Sequence, residues 1–301
     1  MKPINKIKII AVLCISMLFA LEHVSAQQQI ENSMSQYFRN RMLWNAAFTG
    51  IDGNKLYAIQ NRSWVGFEGA PITTNFSGEL NFGQNSAGGL QISTDISGIL
   101  YKTYGVLNYA YRIKFSQEQQ LRIGLSFILS GERLNTRYID QGGSVDPLIA
   151  NSINQKVQYD GNIAGVYTNK KFTLGVSFYR LSDNLSTKSG GSADLAFAQL
   201  GASYDINING DEKVNLKPLA MLRLYRTTSS VADFGAQFEY NKLVNIMLVY
   251  QTTGNIRAGA GVQLKDLGEA NFFYNTNNKV ASGYSQQYEL GIGFYLKGKK
   301  Q

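Results

Sequence analysis

Cysteine and histidine, two residue types that often carry catalysis or bind metals, are nearly absent from this 301-residue chain. It has one cysteine, Cys14, and one histidine, His23, and both precede residue 26. If that segment is removed as a secretory signal, the remaining chain has no thiol for a disulfide or metal site. It also has no imidazole to act as general base for a serine nucleophile. We therefore expect neither an enzyme nor a cofactor, although composition alone leaves chemistry by carboxylates, lysine or tyrosine open.

The carboxylates do not suggest a catalytic pair. Asp233 and Glu239 are six residues apart in an alternating segment, which separates them by about 20 Å at the rise of a β-strand. Asp140 and Asp146 lie in a long predicted loop, where aspartate commonly forms turns. The spacing of the acidic residues thus favours structural roles.

The first 26 residues are predicted to be a signal peptide. A basic start precedes an apolar run from residue 9 to 21, and Val24-Ser25-Ala26 offers a small-residue cleavage site near Ala26. The apolar run is too short for a membrane-spanning helix, which needs about 20 residues. The signal indicates export, and we expect localisation in the outer membrane of a Gram-negative cell.

Between about residues 54 and 296, apolar residues alternate with Gly, Ser, Asn and charged residues. Successive side chains of a strand point to opposite faces, so each segment has one apolar and one polar face. The pattern predicts an all-β fold, a single antiparallel transmembrane β-barrel of about 14 strands with short periplasmic turns and longer extracellular loops. The candidate strands are 54–64, 73–82, 86–95, 101–115, 120–135, 159–168, 172–181, 196–206, 213–224, 231–240, 243–251, 256–264, 269–274 and 284–296.

The remaining segments complete the predicted organisation. Residues 27–53 form a periplasmic N-terminal arm at the barrel mouth, residues 54–296 form the barrel, and residues 297–301 form a C-terminal tail. A soluble β-protein is the structural alternative, but it would carry its apolar face inside and a charged face outside. The net charge of +8 is dispersed along the chain, so no nucleic-acid partner is expected.

Two groups of residues are candidates for function. The first group is predicted to face the lumen by alternation. Its arginines Arg112, Arg122 and Arg257 either engage acidic groups of a peptide or solvate the pore interior and pair with Asp233 or Glu239. A Gly- and Pro-bracketed loop serves either as a structural turn with an aromatic anchor or as a partner-contact site. Its residues of interest are Trp64, Gly66, Phe67, Gly69 and Pro71.

The same loop carries a resemblance to a known family. The stretch Arg62-Ser63-Trp64-Val65-Gly66-Phe67-Glu68-Gly69-Ala70-Pro71 resembles the main motif of the PorP/SprF family of type IX secretion outer-membrane proteins. Ser35-Gln36-Tyr37 is similar to an N-terminal element of that family. The stretch from Asn45 to Gly50 is similar to another, with Ala46 where proline is usual. The resemblance extends over essentially the whole chain after the signal.

This resemblance implies a role in a protein assembly. It suggests a component of, or cargo partner for, the type IX secretion and gliding machinery. The implied partners are outer-membrane lipid, proteins of the periplasmic ring and the C-terminal domain of a secreted adhesin. The chain end, with Glu289, Gly291 and Phe294, resembles the signal recognised by the barrel-assembly machinery. The alternative is a general or substrate-specific porin.

Overall fold

The computed structural model describes residues 35–134, 157–182, 197–208, 213–225, 229–277 and 286–296. All of these residues belong to the second of the chain's two units, Glu31–Gln301. The predicted signal peptide and the predicted tail lie outside the described residues. No helix in the described part of the chain is long and apolar enough to cross a membrane.

The described chain is built almost entirely of strands, preceded by two short 3₁₀ helices, Arg41–Leu43 and Ala46–Phe48. The strands are β1 Lys55–Ser63, β2 Ile72–Phe82, β3 Ser86–Ser97, β4 Leu100–Lys114, β5 Gln120–Leu134, β6 Gln158–Thr168, β7 Phe172–Phe178, β8 Phe197–Tyr204, β9 Ile206–Asn207, β10 Val214–Tyr225, β11 Val231–Tyr240, β12 Val244–Gln251, β13 Asn255–Leu264, β14 Gly268–Asn277 and β15 Gln286–Tyr295.

All strand pairs are antiparallel, and the sheet closes on itself. Apart from β8 and β9, strands that are consecutive in sequence pair with each other in the sheet. Strand β1 pairs with β15, and β11 pairs with both β10 and β12. Strands β8 and β9 both pair with β10 and make one position of the barrel, interrupted at Asp205. Pro218, which has no N–H to donate, lies opposite this interruption. The predicted antiparallel barrel of about 14 strands is therefore confirmed.

The two faces of the wall differ as the alternation predicted. On β4, the outward residues are apolar and exposed, namely Leu107, Tyr109, Tyr111 and Ile113. The intervening Val106, Asn108 and Ala110 are buried inside. Buried polar residues such as Asn75, Ser93 and Gln199 continue the inner face on other strands. An apolar exterior with a polar interior is the arrangement of a transmembrane barrel and the reverse of a soluble one.

The two ends of the barrel also differ. One end, here called the short-turn end, carries tight connections at 83–85, 115–119, 169–171, 241–243 and 265–267. The other end, the long-loop end, carries the connection at 64–71 and the two longest connections, which are partly outside the described residues. In bacterial barrels short turns face the periplasm and long loops face the exterior.

Candidate functional site

The lumen is occupied by the chain that precedes β1. We call residues 35–53 the lumen segment. Its aromatic residues Tyr37 and Trp44 form a buried cluster with Met247, Val249 and Phe273 of the wall. The lumen segment thus packs inside the barrel, whereas the sequence placed it at the periplasmic mouth. The physical reason is that its amphipathic side chains match a polar lumen wall that also offers apolar patches.

The first anchor of the lumen segment is Glu289 on β15, near the long-loop end. Its carboxylate accepts a 2.8 Å hydrogen bond from the Ser35 backbone N–H and another of 2.8 Å from the Gln36 side-chain amide. Asn61 Nδ2 donates a third, at 3.2 Å. The Glu289 side chain is fully buried, so these three donors replace the water that a carboxylate needs.

The second anchor is Tyr37. Its hydroxyl donates to Asp233 at 3.1 Å and accepts from Arg257, and its ring stacks on Trp44 with 4.5 Å between centroids. Arg223 and Gln251 donate to the same Asp233 carboxylate.

The third anchor is Arg39, which joins two strands near the short-turn end. Its guanidinium donates to Glu239 on β11 at 3.1 Å and to Glu269 on β14 at 3.2 Å. The side chains of Arg39 and Glu269 are 11% and 2% exposed, so water screens this contact little. Arg39 therefore bridges the two carboxylates across the interior of the barrel.

The two 3₁₀ helices form the rest of the lumen segment. Asn45 caps the second helix by accepting from the Ala47 N–H at 2.8 Å, and its amide donates to carbonyl oxygens of Gly165 and Val176 in the wall. Arg122 on β5 donates from Nε to the Ala47 carbonyl at 2.9 Å and also to the carbonyl of Thr49. These contacts satisfy backbone groups that a short helix leaves unpaired.

Glycines in the wall let the lumen segment approach closely. A Cβ added at Gly124 would lie 2.2 Å from the Ala47 nitrogen, and one at Gly89 would lie 2.3 Å from Met42 Sδ. Side chains at these positions are incompatible with the segment as it lies. The wall therefore fits the shape of the segment as well as its polar groups.

At the short-turn end the segment leaves the lumen through a turn. Arg41 pairs with Asp52 within the segment, and Glu79 accepts a 2.7 Å hydrogen bond from the Gly50 N–H. Desolvation alone would raise the pKa of Asp52, but the charges of Arg41 and Lys55 outweigh it and hold that pKa well below its usual range. The turn is thereby tied both to itself and to β2.

The structure brings four of the five predicted lumen charges to the lumen segment or its immediate partners. Arg122, Arg257 and Asp233 are buried and contact the segment, and Glu239 accepts a hydrogen bond from Arg39 of the segment. Arg112 lies apart, at the short-turn end, where it donates to the Gln84 carbonyl. Arg122 and Arg257 thus contact groups of this chain.

Sequence reasoning missed several residues of this site, above all Arg39, Arg223 and Glu269. Alternation along β10 and β14 already placed Arg223 and Glu269 on the inner face, so the inward direction of these charged residues was the available signal. Tyr37 and Arg39 gave no such signal, since the lumen segment has no period-two pattern. Among the described residues, no cluster of three or more His, Cys, Asp or Glu side chains could hold a metal ion.

The Trp64 loop closes the long-loop end between β1 and β2. Ser63 N–H donates to the Pro71 carbonyl, Trp64 N–H donates to Gln286 at 2.8 Å, and Gly98 N–H donates to Gly69 at 2.8 Å. These bonds tie the loop to β15 and to the β3–β4 turn.

The side chains at the tip of this loop are open to solvent. Phe67 is 54% exposed, whereas Pro71 is buried. Gly66 and Gly69 have φ angles of +98° and +75°, which favour glycine. The loop is therefore an ordered turn that presents an aromatic side chain.

The terminal strand β15 has two separate faces. Glu289 and Gly291 point inward, and a Cβ at Gly291 would lie 2.5 Å from the Gln36 amide. Phe294 points outward and is 52% exposed. Two of the three residues of the predicted assembly signal thus contact the lumen segment.

Together, the fold and its interior define a transmembrane β-barrel of outer-membrane type whose lumen is occupied by its own chain. A family model described as type IX secretion system membrane protein PorP/SprF matches residues 26–297. The chain belongs to this family, as the Trp64 motif indicated, and is an outer-membrane protein of type IX secretion.

Comparison with solved structures finds other barrels at low sequence identity. The chain is similar to the KdgM porin (7% identity, 81% of this chain and 99% of that one, TM-score 0.42). It is also similar to Acinetobacter baumannii Omp33 (8%, 81% and 98%, TM-score 0.48) and to the Pseudomonas putida toluene transporter TodX (10%, 90% and 94%, TM-score 0.47). No curated protein matches the chain.

Proposed function

We propose that this protein is a docking component of the type IX secretion and gliding machinery and not an enzyme. In this proposal the short-turn end faces the periplasm and contacts the ring proteins. The long-loop end holds the C-terminal domain of a secreted adhesin. Family membership supports the assignment to the secretion system.

The occupied lumen is the observation that carries the docking role. Polar anchors of the lumen segment reach strands on several sides of the barrel, through Glu289, Asp233, Glu269, Ser77 and Arg122. A cargo chain that entered the lumen would have to displace all of these contacts. The two ends of the barrel are therefore the surfaces on which partners would bind.

Each end offers a feature suited to binding. The Trp64 loop presents the exposed side chains Val65 and Phe67 on a backbone fixed by hydrogen bonds, which reduces the ordering cost of a contact. At the short-turn end, Lys242 and Lys265 occupy left-handed backbone conformations with φ of 56° and 46°. Glycine would be less strained at both positions, and in this proposal the two lysine side chains contact the ring proteins.

The proposal is tested by a pull-down from native membranes in mild detergent with a C-terminal tag. We expect ring proteins and one adhesin to co-purify. Phe67→Ser should reduce recovery of the adhesin and leave the ring, whereas the double variant Lys242→Gly, Lys265→Gly should reduce recovery of the ring. Phe76→Ser, an outward residue of β2, is the control for a general loss of an exposed aromatic side chain.

The outcome that contradicts docking is equally specific. If the folded barrel is recovered without any secretion component, even after chemical cross-linking in cells, the docking role is wrong. The sequence also left a general or substrate-specific porin as an alternative. The contacts of the lumen segment oppose an open pore, since they place backbone and bulky side chains across the lumen.

A further inference from the structure

The lumen segment contacts the wall in the way that a bound peptide contacts a receptor. Its backbone and side chains bind separate subsites on different strands, and few of these contacts depend on the covalent link to β1. Glu289 binds the start of the segment, Asp233 and Arg257 bind the Tyr37 hydroxyl, and Arg122 binds two carbonyl groups. The connection to the wall is a single turn at Gly53, where an added Cβ would meet nothing within 4 Å.

We propose that the lumen is a peptide-binding site in which residues 35–53 are the resident ligand. The ligand class is a peptide that folds into turns and short 3₁₀ helices and carries a tyrosine and, two residues later, an arginine, as Tyr37 and Arg39 do. The inference does not depend on the proposed docking role, because it concerns only how the wall recognises a chain.

The tyrosine subsite is selective for a hydroxyl. Asp233 accepts from it, and Arg257 donates to it and lies over the ring, with its guanidinium carbon 5.5 Å from the ring centroid. Phenylalanine would keep the stacking on Trp44 but leave two buried charged groups without this partner. The site therefore distinguishes tyrosine from phenylalanine.

The arginine subsite is selective for a planar, forked cation. Glu239 and Glu269 lie on different strands and bind different nitrogens of Arg39, Nη2 and Nη1. A lysine has one terminal nitrogen and cannot reproduce this geometry. Removing the guanidinium leaves two carboxylates close together inside the barrel, which is unfavourable.

Shape adds to this recognition. Gly124 and Gly89 allow the second half of the segment to lie against the wall, and the carbonyl of Trp44 accepts from Gln199 at 3.2 Å. Recognition is thus distributed over the full length of the segment. We therefore predict that the segment stays bound in the lumen when its covalent link to β1 is cut.

The test separates covalent connection from recognition. A protease site is inserted between Gly53 and Asn54 of the full chain, and the protein is cut after it has folded. Retention of the segment is then measured on folded barrels only, so differences in assembly between variants do not enter the comparison. We expect the cut segment to stay with the barrel during gel filtration in detergent. In the Arg39→Gln chain it should dissociate at least tenfold faster, because two charge-assisted hydrogen bonds are lost.

Arg41→Gln is the matched control. Arg41 pairs with Asp52 of the same segment and stacks on Phe48, so its loss should change retention much less. A labelled synthetic peptide of residues 35–53 should then bind to the emptied Arg39→Gln barrel, and the peptide with Tyr37→Phe should bind at least tenfold more weakly.

Three results would overturn the inference. The cut wild-type segment could leave as fast as the Arg39→Gln segment, the two variants could be retained equally, or the peptide could fail to bind to the emptied barrel. Each would mean that the wall does not recognise the segment through these subsites.

Discussion

The Nε atom of Arg122 donates a 2.9 Å hydrogen bond to the carbonyl oxygen of Ala47, which joins strand β5 to the chain inside the barrel. Arg122 is 4% exposed, so this contact replaces water around a buried charge. A residue predicted to face an aqueous lumen thus binds the backbone of the protein's own N-terminal region. The interior of the barrel at Arg122 is therefore packed with the protein's own chain and is not an open channel.

We expect Arg122→Met to destabilise the folded barrel by about 2–4 kcal/mol, because hydrogen bonds to a charged donor are lost inside the lumen. The measurement is the unfolding midpoint of the purified protein in detergent, detected by the difference in gel mobility between the folded and the heat-unfolded barrel. Arg112→Met is the matched control, since Arg112 contacts the Gln84 carbonyl at the short-turn end. Equal loss of stability in both variants would contradict the assigned role of Arg122.

The glycine wall gives a second prediction. Gly124→Val should destabilise the barrel by about 1–3 kcal/mol or displace the second 3₁₀ helix, because the new side chain overlaps the backbone of Ala47. Gly131→Val on the same strand is the control, since a Cβ there meets nothing within 4 Å. Thermal unfolding distinguishes the two, and a tolerated valine at Gly124 would show that the segment does not lie there.

The terminal strand offers a test that separates assembly from packing. If the outward face of β15 is an assembly signal, Phe294→Ser should lower the amount of folded barrel in the outer membrane severalfold. Glu289→Gln removes a charge that binds Ser35 and Gln36, so it should destabilise the purified barrel. Cell fractionation measures the first effect and unfolding the second. Normal assembly of Phe294→Ser would remove Phe294 from the proposed signal.

The Arg41–Asp52 pair predicts a dependence on pH. Because the pKa of Asp52 is lowered on folding, its contribution to stability is present above the unfolded value of about 3.9 and is lost as the pH falls through the folded value. Wild type should therefore be more stable than Asp52→Asn at pH 7, and the difference should shrink below about pH 4. Unfolding of both proteins across this range is the measurement; a constant difference would exclude ionisation of Asp52 as the cause.

The strands could be predicted because their signal is local. The range 231–240 agrees with Val231–Tyr240, and alternation identified the inner and outer residues of β4 and β5. The last part of β14 was missed: the prediction ended at residue 274, but the strand continues to Asn277. Residues 275–277 are Asn-Thr-Asn, so no apolar residue continues the period-two pattern there.

The position of the lumen segment could not be predicted from local pattern. Tyr37 contacts Asp233, and Ser35 contacts Glu289, pairs separated by 196 and 254 residues in sequence. Such contacts depend on barrel closure, which brings β11 and β15 around the same interior. The Ser-Gln-Tyr element could be identified as a family feature, but nothing in its residues indicated that it would lie inside the barrel.

Electrical conductance of single barrels in a planar lipid bilayer tests the central claim most directly. Full-length protein should insert without a steady ion-conducting level, whereas protein cut after Gly53 and freed of the lumen segment through Arg39→Gln should show a persistent open level. A stable, porin-sized conductance from the uncut wild-type barrel would contradict the claim that its own chain fills the lumen.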